Sequence, residues 1–226
     1  FWWVHILGIF AFLNYLPYSK HFHIILAFPN TYYANLEAKG RFENNAAVTK
    51  EVALMMDPSA DPFAAPAPDA DAPIERFGAK DANDLSWANL LNAYTCTECG
   101  RCTSECPANL TGKKLSPRKI MMDTRDRIEE IGQNIATNGS FLDDGKSLLG
   151  DYITNEELWA CTSCNACVQA CPVDIDPLNI IMKLRNFATM EESSAPGALN
   201  AMMTNVENNG APWPFNQMDR ANWINE

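Results

Sequence analysis

Cys96-Thr-Glu-Cys99-Gly-Arg-Cys102-Thr-Ser-Glu-Cys106-Pro107 and Cys161-Thr-Ser-Cys164-Asn-Ala-Cys167-Val-Gln-Ala-Cys171-Pro172 hold all 8 cysteines of this 226-residue chain. Both runs obey C-x2-C-x2-C-x3-C-P, and every cysteine lies 65 positions from its counterpart (161 − 96, 171 − 106). That is an internal repeat of a ligand set. A disulfide framework spreads its cysteines as loop staples in a smaller secreted chain, whereas these thiols are bunched, as metal ligands in a reducing compartment are. Tetrahedral zinc takes two C-x2-C pairs per ion and has no use for a third x2 step or a terminal Cys-Pro. Three thiolates two residues apart wrap one iron–sulfur cube, while the fourth, drawn away by the x3 step and the proline, faces a neighbouring cluster. Two four-iron clusters are the expectation.

The same run occurs in bacterial two-cluster ferredoxins, in which the fourth cysteine ligates the other cluster. Carried over by position, cluster 1 takes Cys96, Cys99, Cys102 and Cys171, and cluster 2 takes Cys161, Cys164, Cys167 and Cys106. Such a crossing ties the halves together and brings the clusters within electron-exchange distance.

Around the cysteines the patterning is helical. Asp84 or Ser86 can cap a short helix with Trp87, Leu90, Leu91 and Tyr94 on one side, delivering Cys96. Trp87, Trp159 and Tyr94 read as core packing or as shields for the clusters. Ser116-Pro117 is a cap followed by a proline at the first helical position, with Ile120, Met121, Ile128, Ile131 and Ile135 at helical spacing. Arg118, Lys119, Arg125 and Arg127 fall on its other faces, where charges are solvated or dock an acidic partner. Thr154 with Glu157 forms a capping box leading to Cys161, and Asp176-Pro177 starts a helix carrying Leu178, Ile181, Leu184 and Phe187. No strand pattern appears in residues 84–190, so the fold class is mainly α, a helical ferredoxin domain.

Phe1 to Leu16 is an apolar run spanning roughly 24 Å as a helix, short of a bilayer. The expectation is a transmembrane helix whose beginning precedes residue 1, with Lys20, Lys39 and Arg41 marking a cytoplasmic exit. The expected domains are 1–29, membrane helix and exit; 30–83, an amphipathic segment and a linker; 84–190, the dicluster domain; and 191–226, a C-terminal connector. Asp57 to Pro73 is rich in proline, alanine and aspartate and reads as that extended linker. The formal net charge of −11 excludes general nucleic-acid binding, which needs a basic surface. The absence of a phosphate loop, G-x-S-x-G or H-E-x-x-H leaves no support for a kinase or a hydrolase.

Through W-x-x-L-L-x-x-Y-x-C-T-E-C-G-R-C, the L-S-P-R-K helix start and L-W-A-C-T-S-C-N-A-C, residues 84–190 resemble heterodisulfide reductase-like iron–sulfur oxidoreductases. The same domain type occurs in the iron–sulfur subunits of succinate dehydrogenase and anaerobic glycerol-3-phosphate dehydrogenase. His5, Leu16-Pro17-Tyr18-Ser19-Lys20 and His23 resemble the last helix of the cytochrome b-type anchor of respiratory nitrate reductases. That likeness implies that His5 and His23, 18 residues and so five turns apart on one helix, ligate two b-type haems, with further imidazoles from elsewhere. Pro17 can kink or end that helix. Glu207 to Trp213 and Arg220 to Trp223 resemble the connector to a Cys-Cys-Gly catalytic domain.

The resemblance implies an electron relay at the inner (cytoplasmic) membrane, its soluble domain facing the cytoplasm. It would work between a quinone or haem b side and a redox partner protein or a following Cys-Cys-Gly domain. The alternatives are the front half of a complete oxidoreductase, and a cluster- or zinc-stabilised docking module without redox function.

Overall fold

In a computed structural model, residues 1–38, 40–42, 44–57 and 76–224 are described. The expected Asp57–Pro73 linker lies outside them from residue 58 onward, as does Lys39. The elements are α1 (Trp2–Tyr15), α2 (His23–Tyr32), α3 (Ala46–Met56), α4 (Trp87–Thr95), α5 (Arg101–Ser104) and α6 (Pro107–Leu110). They continue with α7 (Pro117–Asn138), α8 (Asn155–Ala160), α9 (Ala166–Gln169), α10 (Pro177–Met190) and α11 (Gly197–Asn209). Among the described residues there is no strand, only an isolated bridge between Leu149 and Ile153.

The domain is a duplication. α4 and α8 each end one residue before the first cysteine of a motif, and α5 and α9 each hold the third cysteine. α7 and α10 each begin at a proline behind a capping side chain: Ser116 accepts from the Lys119 N–H, and Asp176 from the Asn179 N–H. The Thr154–Glu157 capping box forms in both directions at the start of α8. α7 ends at Asn138 because Gly139, at φ 79°, takes the left-handed turn a glycine accepts without strain. Ile120, Met121, Leu158, Ile180, Ile181 and Leu184 are fully buried between these helices. The approach to the domain crosses α10 at Gly78, where a Cβ would lie 2.1 Å from the Phe187 nitrogen and 2.6 Å from the Lys183 carbonyl oxygen. Only glycine lets the two backbones come that close.

Arg125 and Arg127 are not solvated. Arg127 is fully buried, donating to Asp81 at 2.7–3.1 Å, to Asp144 at 2.6 and 2.9 Å and to the Lys146 carbonyl at 2.9 Å. It ties α7 to the segment before α4 and to the loop before α8. Trp87 is no core residue: it is 60% exposed, its ring meeting that of Tyr33 edge-on at 5.0 Å.

The single membrane helix through His23 does not form. α1 stops at Tyr15, and the chain passes through 3-10 turns at Leu16–Tyr18 and Lys20–Phe22, separated by the extended Ser19, before α2 begins at His23. Pro17 lacks the N–H the helix would need there, and the Ser19 hydroxyl caps the second turn through the His21 N–H. No helix among the described residues is long and apolar enough to cross a membrane. α2 packs on α4, and buried Asn30 donates to the Val173 carbonyl at 2.8 Å.

Candidate iron–sulfur site

Each motif is delivered by a helix and wound by two left-handed residues. Cys96 and Cys161 leave α4 and α8 in extended conformation. The chain then reverses through Glu98 (φ 59°) and Gly100 (φ 82°) in the first motif, and through Ser163 (φ 57°) and Asn165 (φ 61°) in the second. Glycine and asparagine adopt this region readily, whereas Glu98 and Ser163 must be held there. Glu98 is held by charge: Arg125 Nη2 donates to Oε1 at 2.7 Å and Lys20 Nζ to Oε2 at 3.0 Å. The Arg125 guanidinium keeps the Glu98 carboxyl below its usual range. Ser163 donates its N–H to Cys161 Sγ at 3.4 Å, the kind of contact that stabilises a thiolate ligand.

The cysteines surround two cavities. One, of about 70 Å³, is lined by Cys96, Cys99, Cys102 and Cys171, with Cys167 on its wall and Met121, Val173 and Ile175 supplying apolar cover. The other, of about 10 Å³, is lined by Cys106, Cys161, Cys164 and Cys167. Cys164, on its rim, is exposed. α5 and α9 face each other, which brings the fourth cysteine of each motif toward the other motif's three.

Burial pushes the Cys96, Cys102 and Cys161 thiols up, and Cys167 up to about 12, with neighbouring cysteines adding to the effect. The neighbours acting on Cys96 include Cys102 and Cys171; those acting on Cys161 include Cys106 and Cys164. Crowded sulfurs that resist ionising alone are suited to a polynuclear cation, which supplies the compensating charge and displaces their protons. Among the described residues no three His, Cys, Asp or Glu side chains converge tightly enough for a single metal ion.

Arg185, on α10, escaped the sequence reading. Its Nε and Nη2 donate to the Leu158 carbonyl at 3.1 and 2.8 Å, Nη2 to the Cys161 carbonyl at 2.6 Å, and Nη1 to Ser163 Oγ at 3.3 Å. Its guanidinium lies 4.9 Å from the Trp159 ring centroid. It thereby satisfies terminal carbonyls of α8 and fixes the start of the second motif. The signal was in the sequence: Pro117-Arg-Lys-Ile120-Met-Met122-Asp-Thr-Arg125 and Pro177-Leu-Asn-Ile180-Ile-Met182-Lys-Leu-Arg185 share P-x-x-I-x-M-x-x-R.

His5 lies exposed on α1, while half-buried His23 opens α2 with its Nδ1 on the Lys20 carbonyl. The third histidine, His21, meets the Phe12 ring at 5.6 Å. The two candidate ligands therefore do not share a helix.

Residues 95–175 match a family described as a 4Fe-4S dicluster domain. Over its whole length the chain is 32% identical to the probable iron-sulfur-binding oxidoreductase FadF of Bacillus subtilis, covering 33% of that protein. It is 28% identical, also over its whole length, to the EtfAB:quinone oxidoreductase of Syntrophomonas wolfei, covering 31% of it. Over 69% of the chain it is 32% identical to a probable membrane-anchored ferredoxin of Chromohalobacter salexigens, covering 25% of that protein. The chain thus spans about a third or less of the length of these curated relatives. With its cysteine scaffold and this match, residues 95–175 are a 4Fe-4S-type iron–sulfur domain.

Proposed function

We propose that this chain relays single electrons through two four-iron clusters, between a membrane quinone side approached by its N-terminal segment and a redox partner protein or following catalytic domain. The observation that carries this reading is the pair of cavities, each lined by three cysteines of one motif and the fourth of the other. On this reading Cys96, Cys99, Cys102 and Cys171 hold the first cluster, and Cys161, Cys164, Cys167 and Cys106 the second. Bound clusters accept and release one electron with little rearrangement. The chain's own part is to hold them rigidly, donate N–H groups to sulfur and exclude water with Met121, Val173 and Ile175. Cys99 and Cys164 are exposed, offering each site a short path to solvent and to a partner.

The N-terminal segment bears on the first site through Lys20 to Glu98 and Asn30 to Val173, so a cluster held there would be the one next to the proposed membrane side. α1 supports the membrane side of the proposal by its composition: Trp2, Trp3, Leu7, Phe10, Phe12 and Leu13 are all exposed. Such a surface fits an apolar medium better than water. The name of the quinone oxidoreductase relative agrees with a quinone on that side. A haem b on His5 or His23 needs further imidazoles from another helix, and no step is assigned to it. The extent of the FadF relative beyond this chain favours one second reading, in which the chain is the front part of a complete oxidoreductase.

Rapid mixing of anaerobically reduced protein with a soluble naphthoquinone tests the relay. Cluster absorbance is expected to recover in one-electron steps. A reduced protein that quinone leaves unchanged overturns the quinone side of the proposal, and a colourless, zinc-containing protein overturns the relay itself.

A further inference from the structure

We propose that Arg125 and Arg185 are duplicated positioning residues whose partners, Glu98 and Ser163, make the two cluster sites electrostatically unequal, and that Arg185 raises the reduction potential of the second cluster. This rests on the dicluster reading above.

The two arginines occupy equivalent places. α7 and α10 start at Pro117 and Pro177, and Arg125 and Arg185 are each the ninth residue of their helix. Each reaches the left-handed residue two positions after the first cysteine of a motif: Arg125 to Glu98 at 2.7 Å, Arg185 to Ser163 at 3.3 Å. The geometry is repeated, but the charge is not. Arg125 is neutralised by a carboxylate that Lys20 also contacts. Arg185 meets a hydroxyl, two backbone carbonyls and an aromatic face, and among the described residues no carboxylate forms an ion pair with it.

Reduction adds one negative charge to a cluster, so a nearby fixed cation favours the reduced state, the more so where water is scarce. The part-buried Arg125–Glu98 pair leaves only a dipole, whose influence falls off faster with distance, and the third member, Lys20, is 77% exposed and screened by water and salt. Other charges do not cancel the difference. Arg101 and Arg118 on the wall of the first cavity are exposed and screened by salt. Asp176 caps α10 and is unchanged in every variant below, so it cannot produce a difference between them. Removing the Arg185 charge, or supplying Ser163 with the carboxylate its counterpart has, therefore isolates the effect.

The test is an anaerobic titration of the cluster-loaded full chain with dithionite and ferricyanide, followed by low-temperature EPR. Ser163→Glu is expected to lower one cluster midpoint by about 59 mV, a tenfold shift in a one-electron equilibrium. Glu98→Gln is expected to raise the other midpoint by a similar amount. Arg185→Gln should reproduce the Ser163→Glu shift, and Arg185→Lys should retain most of the wild-type midpoint. If Arg185→Gln does not assemble because α8 loses its carbonyl cap, the Ser163→Glu and Glu98→Gln pair carries the test. Two assembled clusters whose midpoints ignore both of those substitutions overturn this inference. A wild-type chain without two reducible clusters overturns the dicluster reading instead.

Discussion

Replacing Arg127 by methionine removes a buried cation while keeping most of its volume. Arg127 is 0% exposed and receives two carboxylates, those of Asp81 and Asp144, which are 16% and 24% exposed. Breaking a buried pair by deleting one partner costs about 3–5 kcal/mol, and partial hydration of the two carboxylates places this case near the lower end, about 3 kcal/mol. For a domain of this size that corresponds to an apparent melting midpoint lower by roughly 6–12 °C. Lys114 and Glu156 form the contrasting case, an ion pair of similar length (2.8 Å) with side chains 73% and 63% exposed. Lys114→Met should cost well under about 1 kcal/mol. Circular dichroism at 222 nm, with both variants heated anaerobically at one scan rate and equal cluster loading, compares them. Equal midpoints for Arg127→Met and Lys114→Met would refute the reasoning that burial, not ion-pair distance, decides the energy.

The same network sets an acid response. Arg127 pulls the Asp144 carboxyl down to about 2 from 3.8, so its stabilisation is fully present above the ordinary carboxyl value and is lost as pH falls through about 2. The stability gap between wild type and Arg127→Met should therefore narrow between about pH 4 and pH 2 in denaturant titrations, and a constant gap contradicts the linkage. Gly78→Ala forces a methyl against the backbone of α10 and is expected to cost about 1–3 kcal/mol, read as a lower urea midpoint with unchanged slope. Cys106→Ser should damage chiefly the EPR signal of the cluster that the second motif builds, and Cys171→Ser the signal of the first. If each variant instead harms the cluster of its own motif, ligation is not crossed.

The cysteine spacing was legible because a ligand run is local: its turns, its following proline and its repeat at 65 positions all lie in consecutive residues. Caps were legible for the same reason, as Ser116, Thr154 and Asp176 each bond within three residues of themselves. Arg127 was not, because helical periodicity identifies the apolar stripe of α7 without saying what covers its other faces. Its cover comes from Asp81 and Asp144, 46 and 17 residues away in sequence. At the N-terminus the expected apolar helix is present, α1 covering Trp2–Tyr15, but it does not continue to His23. The apolar run extends to Leu16, but one missing N–H at Pro17 and one extended serine are enough to turn the chain. Glu98 and Ser163 hold the same place in the two motifs, and the arginines that reach them from α7 and α10 give them different roles.

The most direct test of the central claim is an iron and acid-labile sulfide count on anaerobically isolated protein, combined with low-temperature EPR after dithionite reduction. The account predicts about eight irons and eight sulfides per chain, from two cubes of four irons and four sulfides, and magnetically coupled signals from two adjacent reduced clusters. About four irons with a single uncoupled signal, or protein carrying zinc and no reducible chromophore, would contradict it.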